Sequence, residues 1–240
     1  MALDERTRLL LATTATATVT GELQRRGIRN AFLGGLAPLR AGQRMVGVAR
    51  TLRFVPMRED KVEELQRGVN AQRRAVESLG DGDVLVIEAR GESLAGTIGD
   101  VLTMRAERLG AVGVVTDGGV RDAAAVARLG IAVYHRARHG ATFAREHLPL
   151  DVDVPIACAG VLVYPGDVVV GDDDGAVVIP AALVEEVAVA AAEQELRDTW
   201  AFERVADGES VTGVFPMSPD RLEEFEAWCA QRTGGDDLPR

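Results

Sequence analysis

The sequence predicts an α/β protein, a mixed central sheet with helical arms at both ends. Three observations carry that expectation. Short apolar runs at 83–89, 111–117 and 131–135 alternate with helix-patterned stretches, the βαβ arrangement of a parallel sheet. Four β-branched runs then crowd into 154–179, separated by Gly, Pro-Gly and Asp-Asp-Asp-Gly, a spacing that favours antiparallel hairpins or a compact barrel-like layer. The first 30 residues, where an Ala/Thr-rich stretch leads into 21–26, and the Ala/Glu-rich stretch 181–206 read as helical.

The elements follow in order. An N-terminal helical region ends at Gly27, a residue suited to a C-cap. Residues 45–54 are β-branched with partial alternation and read as a strand, closed by Pro56. Residues 58–79 carry apolar residues at helical spacing, but Gly68 and Asn70 interrupt them. A buried strand at 83–89 leads through the Gly-rich 91–99 into a helix at about 100–109. The strand 111–117 is expected to end in a Gly118-Gly119 turn, with a short helix over 121–129 and a third strand at 131–135. Strands near 154–158, 161–164, 167–170 and 176–179 precede a long helix opened by Pro180, and a last helix spans about 219–231.

The length of 240 residues suits one domain: a core over about 10–180, a helical extension over 181–231 and a tail, 232–240, expected to be disordered. With 37 acidic and 27 basic side chains the net charge is −10, and only 4% of residues are aromatic. Direct nucleic-acid binding needs clustered Lys and Arg and is not expected. The N-terminus has an Asp-Glu pair before a short apolar run, unlike a secretory signal, and no stretch nears the roughly 20 apolar residues of a membrane span. A soluble, cytoplasmic protein with reduced thiols at Cys158 and Cys229 is the expectation.

The chemistry concentrates at Gly99, Asp100, Val101 and Leu102 and at Arg121-Asp122. The first four enter a helix, whose unpaired N–H groups suit a carboxylate or phosphate. The second pair follows a parallel strand, and open α/β sheets bind ligands at that end. One edge would then offer N–H donors, a guanidinium and a carboxylate. Asp122 has a plainer reading too, as the N-cap of the following helix, with Arg121 a surface charge. Other stretches are weaker. The glycine spacing over 91–97 resembles a P-loop but lacks its Lys. Asp172-Asp173-Asp174-Gly175 lacks the alternate spacing of a calcium loop and reads as a turn. His135, His139 and His147 do not form a helical metal motif, because His135 ends a strand. No nucleophile signature is present.

At these residues the chain resembles the RraA-like proteins, which comprise the 4-hydroxy-4-methyl-2-oxoglutarate aldolases and the regulator of ribonuclease activity A. Asp100, twenty residues, then Arg121-Asp122 match the family motif. The blocks 110–122 and 165–180 fit as well, and the likeness covers about 10–205. The resemblance implies an α/β/β/α domain, a homo-oligomer (trimer or hexamer) and a divalent cation, Mg2+ or Mn2+, on Asp122. It also implies Arg121 at the keto oxygen of a small 2-oxo acid, and backbone at Gly99, Asp100, Val101 and Leu102 on its carboxylate. Cleavage would pass through a pyruvate enolate, by retro-aldol reaction or oxaloacetate decarboxylation, with no Schiff-base lysine; the single lysine is Lys61. One departure stands out: aldolase members place an acid three residues after the Asp, where this chain has Ala125. The alternatives are a non-catalytic protein that inhibits a ribonuclease, and a lyase or dehydratase for a different sugar-derived keto acid.

Overall fold

The computed structural model describes residues 3–233. Helices α1 (Glu5–Thr13) and α2 (Thr16–Arg25) are separate. The break between them is anchored by Asp172, whose carboxylate accepts from the Thr16 amide (2.8 Å) and hydroxyl (2.7 Å). The acidic turn near 172–175 is therefore a helix anchor as well as a hairpin. After β1 (Ala37–Pro38) come β2 (Met45–Pro56), α3 (Val62–Gln66) and α4 (Ala71–Glu77), the last capped by the Asn70 side chain on the Arg73 amide. Then follow β3 (Asp83–Glu88), β4 (Gly96–Ile98), α5 (Asp100–Arg108), β5 (Gly113–Val120), α6 (Ala123–Val126) and β6 (Ala132–Arg138). The remainder is β7 (His147–Val152), β8 (Ile156–Cys158), β9 (Val161–Val163), β10 (Val168–Asp172), β11 (Gly175–Ile179), α7 (Val184–Ala206) and α8 (Leu222–Thr233).

The main sheet runs β1-β6-β5-β3-β2-β10-β11. β2, β3, β5 and β6 are parallel, as the alternation of runs predicts, and β10 and β11 add antiparallel strands. β4 pairs with the far end of β5, and β7 with the far half of β2. Residues 31–38 nearly close the sheet. Leu33 donates to the Ala176 carbonyl (2.8 Å), Phe32 bridges Val177, and β1 lies against β6.

β3 shows how the core is divided. Val84, Leu85, Val86 and Ile87 are all fully buried. Val84 and Val86 face a core with Met45, Val115, Tyr134, Val163 and Val178; Leu85 and Ile87 face one with Phe54, Val76, Ala106 and Val133. A strand buried on both faces reads as a continuous apolar run. A third core packs α1, α2 and α7 on β10 and β11. A smaller one joins α7 to α8 around Trp200 and Phe225. No described helix is long and apolar enough to cross a membrane.

Three expectations are corrected. Gly118 and Gly119 lie inside β5, not in a turn. The helix over 121–129 shrinks to α6, 123–126. Arg232 and Thr233 of the expected tail continue α8, and the rest of the tail lies outside the described residues.

His147 is fully buried, with its ring edge against Phe54 and its Nδ1 3.0 Å from Arg90 Nη2. Burial and then the Arg90 charge push its pKa below the usual value, and burial does the same to His135. An unfolded His takes up a proton near pH ~6.5, while the folded one stays neutral to lower pH. The unfolded state then binds more protons, so stability falls as pH drops below about 6.5. The urea midpoint should be lower at pH 5.5 than at 7.5, with a shallower dependence in His147→Gln.

Candidate active site at the carboxyl edge of the parallel strands

The site is made where β4 and β5 end. The Arg121 amide donates to the Ile98 carbonyl (2.9 Å), which ties the residue after β5 to the last residue of β4. α5 starts two residues later, at Asp100, with Gly99 as its N-cap and no capping side chain. The first helical N–H to find an intrahelical partner is that of Thr103, on the Gly99 carbonyl (3.0 Å). The amides of Asp100, Val101 and Leu102 stand outside the ladder, and Asp100 Oδ1 takes that of Val101 (2.7 Å).

Two glycines give the site its shape. A Cβ on Gly96 would overlap Arg121 Cγ and stand 2.9 Å from Cδ, so the guanidinium stem lies across bare backbone. A Cβ on Gly99 would stand 2.9 Å from Asp122 Oδ2, so the carboxylate rests against the helix start. Asp122 itself adopts the left-handed conformation (φ 52°, ψ 34°), which Asp tolerates better than most residues. It stands at the N-cap position of α6, but its side chain makes no capping bond and is left to the cleft. Arg121 Nε is buried with no hydrogen-bond partner. Such an atom costs stability unless a ligand or water satisfies it.

Gly99, Asp100, Val101, Leu102, Arg121 and Asp122 all line one cleft of about 290 Å³. The residues singled out from sequence thus share a site. Gln72, Gly96, Ile98, Thr142 and Phe143 complete it and were not foreseen. Gln72 is buried on the first turn of α4 and donates to the Thr97 carbonyl. A polar residue beside the Asn70 cap is the only local hint of it, since its approach to the cleft is set by packing.

Among the described residues, no three His, Cys, Asp or Glu side chains gather as a metal cluster. The histidines are engaged separately: His135 with the Ala37 carbonyl, His139 with the Ala141 amide, His147 with Arg90. Asp122 is the carboxylate that fits a cation, its side chain being exposed and free of hydrogen bonds and ion pairs among the described residues. Magnesium keeps several waters and can be held by one or two carboxylates.

Fold and cleft together define an α/β protein with a cleft between a strand end and a helix start. A family model described as Aldolase/RraA, RraA-like, matches residues 16–178, and the chain belongs to that family. It is 33% identical over 164 residues to a Halalkalibacterium halodurans protein named "Putative 4-hydroxy-4-methyl-2-oxoglutarate aldolase", spanning 68% of this chain and 72% of that one. The crystal structure of Streptomyces coelicolor RraAS2, described as an unusual member of the RNase ES inhibitor RraA protein family, superposes with a TM-score of 0.75. It is 35% identical and covers 87% of this chain and 99% of its own. An uncharacterized Pseudomonas syringae protein superposes with a TM-score of 0.77 at 25% identity, over 89% and 98% of the two chains.

Proposed function

We propose that the protein is a divalent-metal-dependent lyase that cleaves a small 2-oxo acid through a pyruvate enolate. The observation that carries this reading is Arg121 and Asp122, both with side chains that lack partners among the described residues, facing the open start of α5. The helix-start amides would hold the substrate carboxylate, that of Val101 by exchange with Asp100 Oδ1, and the Arg121 guanidinium would meet the keto oxygen, where negative charge develops. Asp122 would hold magnesium or manganese, which when bound supplies a Lewis acid for the same oxygen. In the retro-aldol direction the 4-hydroxyl loses its proton and the C3–C4 bond breaks. Its electron pair passes into the enolate, and protonation at C3 gives pyruvate. Oxaloacetate loses carbon dioxide from the same bond.

The test is pyruvate release from oxaloacetate and from 4-hydroxy-2-oxo acids, with magnesium and with chelator. Turnover should need the metal and vanish in Asp122→Ala; activity that survives both treatments would overturn the reading. A second reading, a non-catalytic partner of a ribonuclease, is favoured by Ala125, where the aldolase pattern has an acid, and by the likeness to Streptomyces coelicolor RraAS2, a member of an RNase ES inhibitor family. A stable ribonuclease complex unaffected by Asp122→Ala, with no pyruvate released, would support it.

A further inference from the structure

The cleft does not end at the start of α5. Asp100 and Val101 also border an adjoining cavity of about 420 Å³, whose other walls are Met104, Ala125, Arg128 and Leu129. Its near wall is apolar and open: Val101 is 75% exposed and Met104 38%. The far wall continues from Asp122. Ala125 donates its amide to the Asp122 carbonyl (2.8 Å) and Arg128 its amide to that of Ala125 (3.1 Å), so the three follow at three-residue steps. The Arg128 guanidinium has no hydrogen bond or ion pair among the described residues.

We propose that this cavity is the subsite for the substrate tail, and that it selects a 2-oxo acid whose tail is an apolar chain ended by a carboxylate. The proposal rests on the first cleft holding the 2-oxo acid head. Contiguity argues for it, because Asp100 and Val101 belong to both cavities and a head on the helix start directs its tail past them. Charge order argues for the chain's ending. A carboxylate close to the head would meet the Asp100 carboxylate, whereas one further along meets an unpaired guanidinium able to bind it with two parallel hydrogen bonds. Between those ends, Val101, Met104, Ala125 and Leu129 offer only apolar surface. Burying each methylene there should raise kcat/KM roughly fourfold. A charged end in the wrong place is thereby rejected and the right length rewarded, which is how two unlike terms make specificity.

The experiment measures kcat/KM, on the full chain with magnesium, for 4-hydroxy-2-oxo acids with methyl, longer alkyl and carboxylate-ended alkyl tails. Calorimetric binding of the matching non-cleavable 2-oxo diacids is measured alongside. The carboxylate-ended long tail should be preferred. Arg128→Gln should cut its advantage over the methyl tail at least tenfold, chiefly through KM, and Ala125→Glu should do the same. Equal losses on all substrates, or none, would overturn the proposal. If nothing is cleaved yet the long diacid binds in an Arg128-dependent way, the lyase reading fails and the subsite stands. If neither turnover nor binding depends on Arg128, the subsite fails. Should sedimentation show that Met104→Glu or Arg128→Gln breaks an oligomer, the cavity is a contact between copies and the proposal falls.

Discussion

Arg121→Ala should lower kcat for pyruvate release by a factor on the order of 10²–10³, with the fold intact. Removing one preorganised donor from a developing oxyanion costs about 2.7–4 kcal/mol. The fold should be indifferent, because the guanidinium makes no hydrogen bond among the described residues and its buried Nε is unpaired. Lysine should not restore the rate, since a point charge on a flexible stem does not reproduce a planar fork. Gly96→Ala is the sharper companion. It keeps the arginine but fills the space its stem occupies, as an added methyl would overlap Cγ. Its kcat should fall as well, by displacement rather than loss of charge. Stopped-time pyruvate assays with urea melts on each variant check this, and an Arg121→Ala protein with most of its activity would place the chemistry elsewhere.

Asp117→Ala should be the most damaging single change to stability. Asp117 is 2% exposed. Its Oδ1 accepts from the Ala89 amide, and its Oδ2 from those of Gly91 (2.9 Å) and Ala159 (3.2 Å). Two of the residues so clamped or adjoining, Ala159 (φ 49°) and Arg90 (φ 59°), hold left-handed backbone that is unfavourable for side-chain-bearing residues. Alanine would strand three amides, each costing about 1–3 kcal/mol. The sum is a large part of the roughly 5–15 kcal/mol that keeps a domain folded. Asp117→Asn keeps one accepting oxygen and should lie between. Urea unfolding of both variants measures the order, and an alanine variant within about 1 kcal/mol of the parent would refute it.

The parallel part of the sheet could be read from sequence because strands buried on both sides leave unbroken apolar runs between helices. The paired glycines misled. Gly usually punctuates a chain, but here an added Cβ on Gly118 would stand 2.6 Å from Ala89 Cβ and one on Gly119 2.6 Å from the Ala95 carbonyl oxygen. They are small because neighbouring chain passes close, not because the backbone turns. β4 and β7 left little trace: one has three residues, and the other contains Pro149 and takes its register from β2, far away in sequence. That Arg121-Asp122 and the helix start at Gly99 would line one cleft was legible because strand ends and helix starts of such units share an edge. Gln72, Thr142 and Phe143 reach the cleft through tertiary packing alone.

The near-closure of the sheet by residues 31–38 also constrains the order in which the chain can assemble. This segment and β2 are synthesised well before their neighbours β10 and β11, with β3 to β9 in between. Until then the first half of β2, residues 45–48, lacks its antiparallel neighbour, leaving the kind of edge on which chains aggregate. The contacts that close the ring span most of the sequence, and such long-range pairing makes folding slow. A ribosome-bound chain stopped before residue 168 should therefore be protease-sensitive and prone to self-association, and release of the last hairpin should be the event that makes it compact.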